Sequence, residues 1–449
     1  MGILYDAYDI ITRGVLLTAL PPFWAYSRIS GRYGDNLKER LGFLPDTFGE
    51  YLEGVPRIWV HAVSLGEVRA AEPIVNAIRR YLPSCTIMVS TITKHGRELA
   101  HGVFGKSIPV TYAPLDHSGM IRRCLTRARP DILLFLETEI WPVWLREAKK
   151  MGINTAIVNG RISLRSIRIY QKLRPFFKEV LKNVDAFSMI RKEDAQRIIS
   201  MGADPDRVVI NGNSKYDLLS DLTDPSFENE MRSILDIKNN DQVLIAGSTR
   251  SGEEAIIIKA YKRILKEFPK TILVIAPRHI GRTPAIELIL KKNGFNYQLR
   301  SSLGGGITKR RSQVVILDTF GELFKVYSIA TIVFCGASLV PLGGQNPMEP
   351  AVWGKPVMYG PSMEDFLDAK ELLEGNKAGI EVSSAKSFAE KAIRLLSDRS
   401  LLDTYCRRSR EAVLKNRNAS EKHASVIAGL FKRIHVKSGD LNKEGHCDN

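Results

Sequence analysis

Three clusters in this 449-residue chain have the residue types and spacing that transfer chemistry needs. The first is Ser64-Leu65-Gly66-Glu67, directly after the apolar run IWVHAV (58–63). That is a strand-to-helix turn, and parallel sheets place such turns at their ligand-binding edge. Glu67 there can serve as a general base, taking the proton from a hydroxyl as its oxygen attacks. It can equally be a carboxylate that only stabilises the helix N-terminus. The helix start lowers its pKa, whereas burial raises it. The second cluster is DILLFLETEIWP (131–142). Glu137 and Glu139 are two apart at a strand end, so they share a face. Such a pair is costly unless it binds something polar or caps the helix beginning near Trp141. The third is Gly343-Gly344-Gln345-Asn346-Pro347-Met348-Glu349. Asn346 suits an N-cap, Pro347 the first helical position, and Glu349 can reach back to the cap's N–H. Glycines followed by a helix N-terminus direct unpaired N–H groups at one spot, which suits a phosphate. The plain alternative is an ordinary βαβ turn with a tidy cap.

Further strand ends carry similar groups. AGSTRSGEE (246–254) offers Ser248, Thr249 and Ser251 as caps and Arg250 as an anion partner. APRH (276–279) brings Arg278 and His279, and DTFGEL (318–323) brings Gly321 and Glu322. Four ligand-bearing strand ends in one half converge on one edge, which is stronger than any one alone. A basic run follows the front half's fourth expected strand: Arg161, Arg165, Arg168, Lys172, Arg174, Lys178 and Lys182. Positions 165, 168 and 172 share a helix face. Arginine suits phosphate, so this face is a candidate surface for a phosphorylated lipid, or else a solvated helix face.

These residues need elements to hold them, and the chain supplies two alternating sets. Strands are expected at 57–63, 85–91, 131–137, 154–160 and 185–190, with one more in 202–214 and a helix at 166–183. A second set lies at 242–248, 271–277, 314–318, 331–338 and 355–360. Strand–helix alternation predicts an α/β fold with mostly parallel sheets, here two Rossmann-like domains facing across a ligand-binding cleft. The expected division is a membrane-associated segment (1–30), an N-terminal domain (31–216), a linker (217–228), a C-terminal domain (229–435) and a disordered tail (436–449). The segment Ile10–Tyr26 is apolar but broken by Arg13 and Pro21-Pro22. Phe23, Trp24 and Tyr26 suit a lipid interface, and Arg28, Arg32, Lys38 and Arg40 follow as for anionic headgroups. It is expected to dip into the bilayer or lie on it. A core helix is the alternative.

The net charge of +16 argues for an anionic partner. Five scattered cysteines without a CxxC pair, and no histidine pair at metal-ligand spacing, predict neither disulfides nor a metal. GVFGKS (102–107) is too short for a P-loop, and no GxGxxG opens a βαβ unit. No aromatic RNA-binding strand accompanies the charge, so no nucleic-acid partner is expected.

Together the motifs resemble one family, the 3-deoxy-D-manno-octulosonic acid (Kdo) transferases of lipid A assembly. The resemblance runs from about residue 25 to 430, through SLGE (64–67), ETEIWP (137–142), NGRIS (159–163), GNSKYD (212–217), GSTRSGEE (247–254), APRH (276–279), DTFGEL (318–323) and GGQNPMEPAVWGKPV (343–357). It implies a GT-B architecture and inverting, metal-independent transfer from CMP-Kdo, without a cofactor, to a phosphorylated lipid A precursor, a tetraacyldisaccharide bisphosphate. It puts Glu67 on the family's base. Pro277, Arg278, Phe320, Gly321, Glu322 and Asn346, Pro347, Met348 and Glu349 fall on its CMP-contacting positions, with Ser248 and Arg250 beside them. Glu137, Glu139, Arg161 and Ser163 are placed on the acceptor side. The N-terminal segment corresponds to an inner-membrane anchor, giving a cytoplasmic-face location on an anionic membrane surface. A GT-B transferase or epimerase using a UDP-sugar is the alternative enzyme, and a peripheral membrane scaffold the alternative without chemistry.

Overall fold

The computed structural model describes residues 3–30, 37–45, 48, 53–304 and 309–441. Arg32 and residues 442–449 lie outside them, as do the side chains of Phe23, Trp24, Tyr26, Arg28 and Arg165. The chain divides into two units, 1–217 with 418–449, and 218–417.

The first unit is a seven-stranded parallel sheet of order β3-β2-β1-β4-β5-β6-β7. Its strands are β1 (Arg57–His61), β2 (Thr86–Thr91), β3 (Val110–Tyr112), β4 (Ile132–Leu136), β5 (Asn154–Gly160), β6 (Ala186–Met189) and β7 (Val208–Ile210). Alternate residues feed two cores, as strand geometry requires. Trp59, Leu133, Phe135 and Phe187 pack on one face. Ile58, Val60, Ile132 and Leu134 pack on the other. Helix α1 (Ile3–Ser30) begins the unit, and α2 (Leu65–Tyr81) follows β1. The single basic helix expected at 166–183 is two, α3 (Leu164–Lys172) and α4 (Arg174–Leu181). Pro175 lacks an N–H and starts a new helix instead of continuing the old one.

The second unit repeats the plan, in the order β10-β11-β9-β8-β12-β13-β14. Its strands are β8 (Val243–Thr249), β9 (Ile272–Pro277), β10 (Tyr297–Leu299), β11 (Val314–Ile316), β12 (Ile332–Cys335), β13 (Val357–Tyr359) and β14 (Gly379–Glu381). Helix α5 (Glu253–Glu267) covers one face through Ile257, Ile258, Tyr261 and Ile264, which pack on Leu244, Leu273 and Phe334. The short α6 (Met348–Val352) and α7 (Arg399–Lys415) come later. Helix α8 (Ala419–Leu441) closes the chain, but in the first unit. Its Ala424, Ile427 and Leu430 are buried with Val68, Ala71 and Val75 of α2. Asp217 caps its start by accepting from the Ser420 N–H at 2.7 Å.

Four expectations change. The second unit ends at Arg417, not 435, because the apolar stripe of α8 is buried on α2. Helix α8 runs through Leu441, into the tail expected to be disordered. The linker begins where the units divide, but it is largely helical, at Asp217–Asp221 and Ser226–Ile234. The first turns of α1 are packed: buried Tyr5 donates to the Pro142 carbonyl at 3.0 Å, and Tyr8 donates to Asp116 at 3.2 Å. Beyond them Ile10, Ile11 and Val15 are exposed. Among the described residues no helix is long and apolar enough to cross a membrane.

Candidate active site

In the first unit the turn after β1 fixes Glu67. Ser64 adopts extended backbone before α2, and Glu67 lies in the first turn, where its carboxylate folds back. One oxygen accepts from the Val63 N–H at 2.8 Å, the other from the Ser64 hydroxyl at 3.0 Å. Only 8% of the residue is exposed. Burial pushes its pKa up to about 8, helped by the charges of Glu139 and Glu137 and opposed by the Val63 N–H. Desolvation is the largest of these effects and outweighs the Val63 N–H and the Ser64 hydroxyl that oppose it.

Glu137 and Glu139 reach this spot by a route different from the one expected. Strand β4 ends at Leu136, so neither residue is on it. Glu137 takes a left-handed backbone, φ 55°, and the turn, not strand alternation, brings the carboxylates together. Glu137 is paired with Lys215. Glu139 accepts from the Trp141 indole at 2.7 Å, and burial raises its pKa. Behind the turn stands an aromatic box. Buried His61, at the end of β1, lies edge-on to Trp141 (centroids 5.2 Å apart) and 4.9 Å from Trp144. Its Nδ1 meets the Ser90 hydroxyl at 2.9 Å, and desolvation drives its pKa down to about 3, so it is neutral. The ring thus fixes Trp141, and Trp141 fixes Glu139.

The other residues expected on the acceptor side make more modest contacts. Arg161 offers its carbonyl to the Thr138 hydroxyl at 2.5 Å. Ser163 is the cap of α3, accepting from the Ser166 N–H at 3.0 Å. On α3, Arg168 and Lys172 are exposed, beside Ile169, with Leu173 just past the helix end. This is a surface with both charge and apolar area.

In the second unit, β11, β9, β8 and β12 are neighbours, so their C-terminal ends form one continuous edge. At β8 a bulge at Ser248, φ 53°, shifts the register so that Thr249 pairs with Pro277 of β9. The Arg250 guanidinium meets the His279 ring at 2.6 Å, and Arg278 next to it is exposed. After β11, Phe320 is 95% exposed, Gly321 is left-handed, and Glu322 is bonded to Arg300 at 2.7 Å. After β12, Gly343 and Gly344 both have φ near +80°. The Asn346 side chain accepts from the Met348 N–H at 3.1 Å and donates to Glu349 at 3.5 Å. The expected capping arrangement is thus altered. Helix α6 begins at Met348, with Pro347 at the cap position, and Glu349 meets Asn346's side chain. The Met348 side chain is buried in the core.

Sequence reasoning gave no role to Glu253 and Glu254, although it quoted their motif. Both are fully buried. Glu253 accepts four N–H groups, from Arg250, Ala337, Ser338 and Leu339, at 2.7 to 2.9 Å, tying the loops after β8 and β12 together. Glu254 takes a two-pronged bond from Arg282, at 3.2 and 3.0 Å. Lys215 was missed as well. The signal was available: two acids opening a helix after a glycine turn, and a lysine in the one polar loop after β7. Among the described residues no group of three or more His, Cys, Asp or Glu side chains could hold a metal ion.

Comparison with known proteins adds to this geometry. Residues 35–218 match the family model described as 3-deoxy-D-manno-octulosonic-acid transferase (kdotransferase). The 3-deoxy-D-manno-octulosonic acid transferase of Haemophilus influenzae is 30% identical over 406 residues, 90% of this chain and 93% of that protein. A bifunctional glycosyltransferase/methyltransferase of Fusobacterium nucleatum is 35% identical over 344 residues, 76% of this chain, and the match spans 52% of that longer protein. Among solved structures, the UDP-GlcNAc 2-epimerase from Neisseria meningitidis bound to UDP-GlcNAc aligns with TM-score 0.58 at 14% identity, covering 84% of this chain and 100% of that one. A glycosyltransferase from Rickettsia africae aligns with TM-score 0.56 at 15% identity, covering 86% and 98%. These two likenesses concern the fold alone.

Proposed function

We propose, for a chain that belongs to the 3-deoxy-D-manno-octulosonic acid (Kdo) transferase family of glycosyltransferases, that Glu67 is the base of an inverting transfer. The donor is CMP-Kdo and the acceptor a phosphorylated lipid A precursor. The observation that carries the reading is the buried, under-solvated Glu67 carboxylate with a pKa of about 8. A base is most effective when its pKa lies near the working pH. Glu67 takes the proton from the acceptor hydroxyl as that oxygen bonds to the anomeric carbon of Kdo. The bond from that carbon to the CMP phosphate breaks, and the electron pair leaves with the phosphate.

The edge of the second unit supplies what that leaving group needs. Arg278 is exposed there, and the left-handed glycines at 321, 343 and 344 let backbone approach the phosphate. Arg250 and Ser248 belong to the same edge. Exposed Phe320 offers a ring for stacking on cytosine. For the acceptor, the cations of α3 suit its phosphates, and Ile169 and Leu173 suit its acyl chains. Exposed Ile10, Ile11 and Val15 of α1 suit a helix lying on an anionic membrane surface, at the cytoplasmic face of the inner membrane.

The test is mass spectrometry of the lipid formed from CMP-Kdo and a tetraacylated disaccharide bisphosphate. Added Kdo with the native chain and none with Glu67→Ala is expected. Undiminished product with Glu67→Ala removes the base assignment. A melting temperature raised by UMP or UDP but not by CMP turns the reading to a UDP-sugar enzyme.

A further inference from the structure

A cavity of about 460 Å³ opens in the second unit, away from the strand ends that carry the proposed donor residues. Trp353 and Lys355 line it just before β13 begins, so it lies at the opposite edge of the sheet. Arg410 and Arg417, from α7 and the turn after it, form another wall. Gly354, φ +67°, has Arg410 against it: a Cβ built there would stand 3.4 Å from two guanidinium nitrogens. A glycine at that point leaves the guanidinium room to lie along the wall.

The chemistry of these groups is one-sided. Lysine, arginine and the indole N–H only donate hydrogen bonds. The Trp353 indole nitrogen is buried with no partner, and among the described residues the side chains of Lys355, Arg410 and Arg417 form no hydrogen bond or ion pair. The carboxylate that lines the cavity, Glu228, has one oxygen engaged by Arg232 at 2.9 Å, and its charge also acts on Lys355. Burial pushes the Lys355 ammonium below the ordinary lysine range, a cost that an anion beside it would relieve. Val352, Val413 and Leu414 give the cavity an apolar wall, beside the hydroxyls of Ser220, Thr223 and Ser328.

We propose that this cavity is a binding site for an organic phosphate, whose phosphate meets Lys355, Arg410, Arg417 and the Trp353 N–H and whose organic part packs on the apolar wall. Three cations and an indole N–H against one carboxylate leave the cavity with an excess of positive charge, and phosphate oxygens meet it with the geometry arginine prefers. The volume exceeds what a bare phosphate fills and falls in the range of small-molecule sites. The position points to regulation. The chain passes between the units at Asp217–Leu218 and at Arg417–Asn418, and Ser220 and Arg417 both line the cavity. A bound ligand therefore ties the entering and leaving segments together. It also holds Trp353, at the end of α6 opposite Asn346.

The inference does not rest on the donor assignment, and its test keeps the two apart. Phenyl phosphate is titrated calorimetrically into the full chain in the presence of saturating CMP, which fills any cytidine phosphate site. One molecule is expected to bind per chain. Arg410→Gln combined with Arg417→Gln weakens it at least tenfold, and Trp353→Phe weakens it several-fold, with ligand-free melting temperatures unchanged. Inorganic phosphate binds more weakly than phenyl phosphate; equal affinity removes the apolar wall from the site and overturns the organic-phosphate assignment. Absence of binding under CMP, or native affinity in the double variant, overturns the site itself.

Discussion

The two units build the same turn and use it differently. After β1 the chain reads Ser64-Leu65-Gly66-Glu67; after β8 it reads Arg250-Ser251-Gly252-Glu253. In both, a glutamate in the first turn of the following helix folds back onto the loop it has just left. Glu253 finds four N–H donors there. Glu67 finds one N–H and one hydroxyl, with two further carboxylates close by. A carboxylate that holds four donors acts as a structural tie. A buried one with two donors and like charges beside it holds on to a proton. The donor count, not the motif, separates the brace from the proposed base.

The largest effect should come from removing that base. Glu67→Ala is expected to lower kcat by about 10³-fold, in the middle of the range of general-base effects, with a circular-dichroism spectrum like the native one. Glu253→Ala should show the opposite pattern. Losing the anchor for four N–H groups costs about 3–5 kcal/mol in urea unfolding of the second unit, and activity falls with the folded fraction. If both variants lose activity without losing stability, the contrast fails. Glu139→Gln then sharpens it. Glu139 contributes the largest charge effect on Glu67, so neutralising it should move the acid limb of kcat/KM below its native position near pH 8 by about half to one pH unit. The smallest effect is on stability. The pKa of Glu67 is raised on folding, so its charged form is disfavoured in the native state, and stability is lost as pH rises from about 4.5 to about 8. Glu67→Gln escapes that loss. Its melting temperature relative to native should therefore be higher at pH 9 than at pH 5. A difference independent of pH would remove the raised pKa.

Much of this was legible in the chain itself. Strand–helix alternation announced two parallel sheets because buried parallel strands are short apolar runs. β3, β10 and β14 were not foreseen; each is three residues long and an outer strand of its sheet, too short for a pattern. Glu67 was visible because it opens a helix after a strand. Glu137 was found for a wrong reason, since a left-handed residue after a strand leaves no mark in a period of two. Glu253 escaped because three of its four donors come from residues some 85 positions later. Long-range hydrogen bonds have no local signature. The return of α8 to the first unit was hidden in the same way, since its apolar stripe says that it is buried but not on what.

That return makes the front lobe a host and the rear lobe an insert, since residues 218–417 interrupt a body that residues 418–441 resume. Stopping translation at Arg417 would leave the interrupting stretch whole yet strip the cover from α2, the helix that carries Glu67. Frayed C-termini should accordingly damage proton transfer before they damage nucleotide capture.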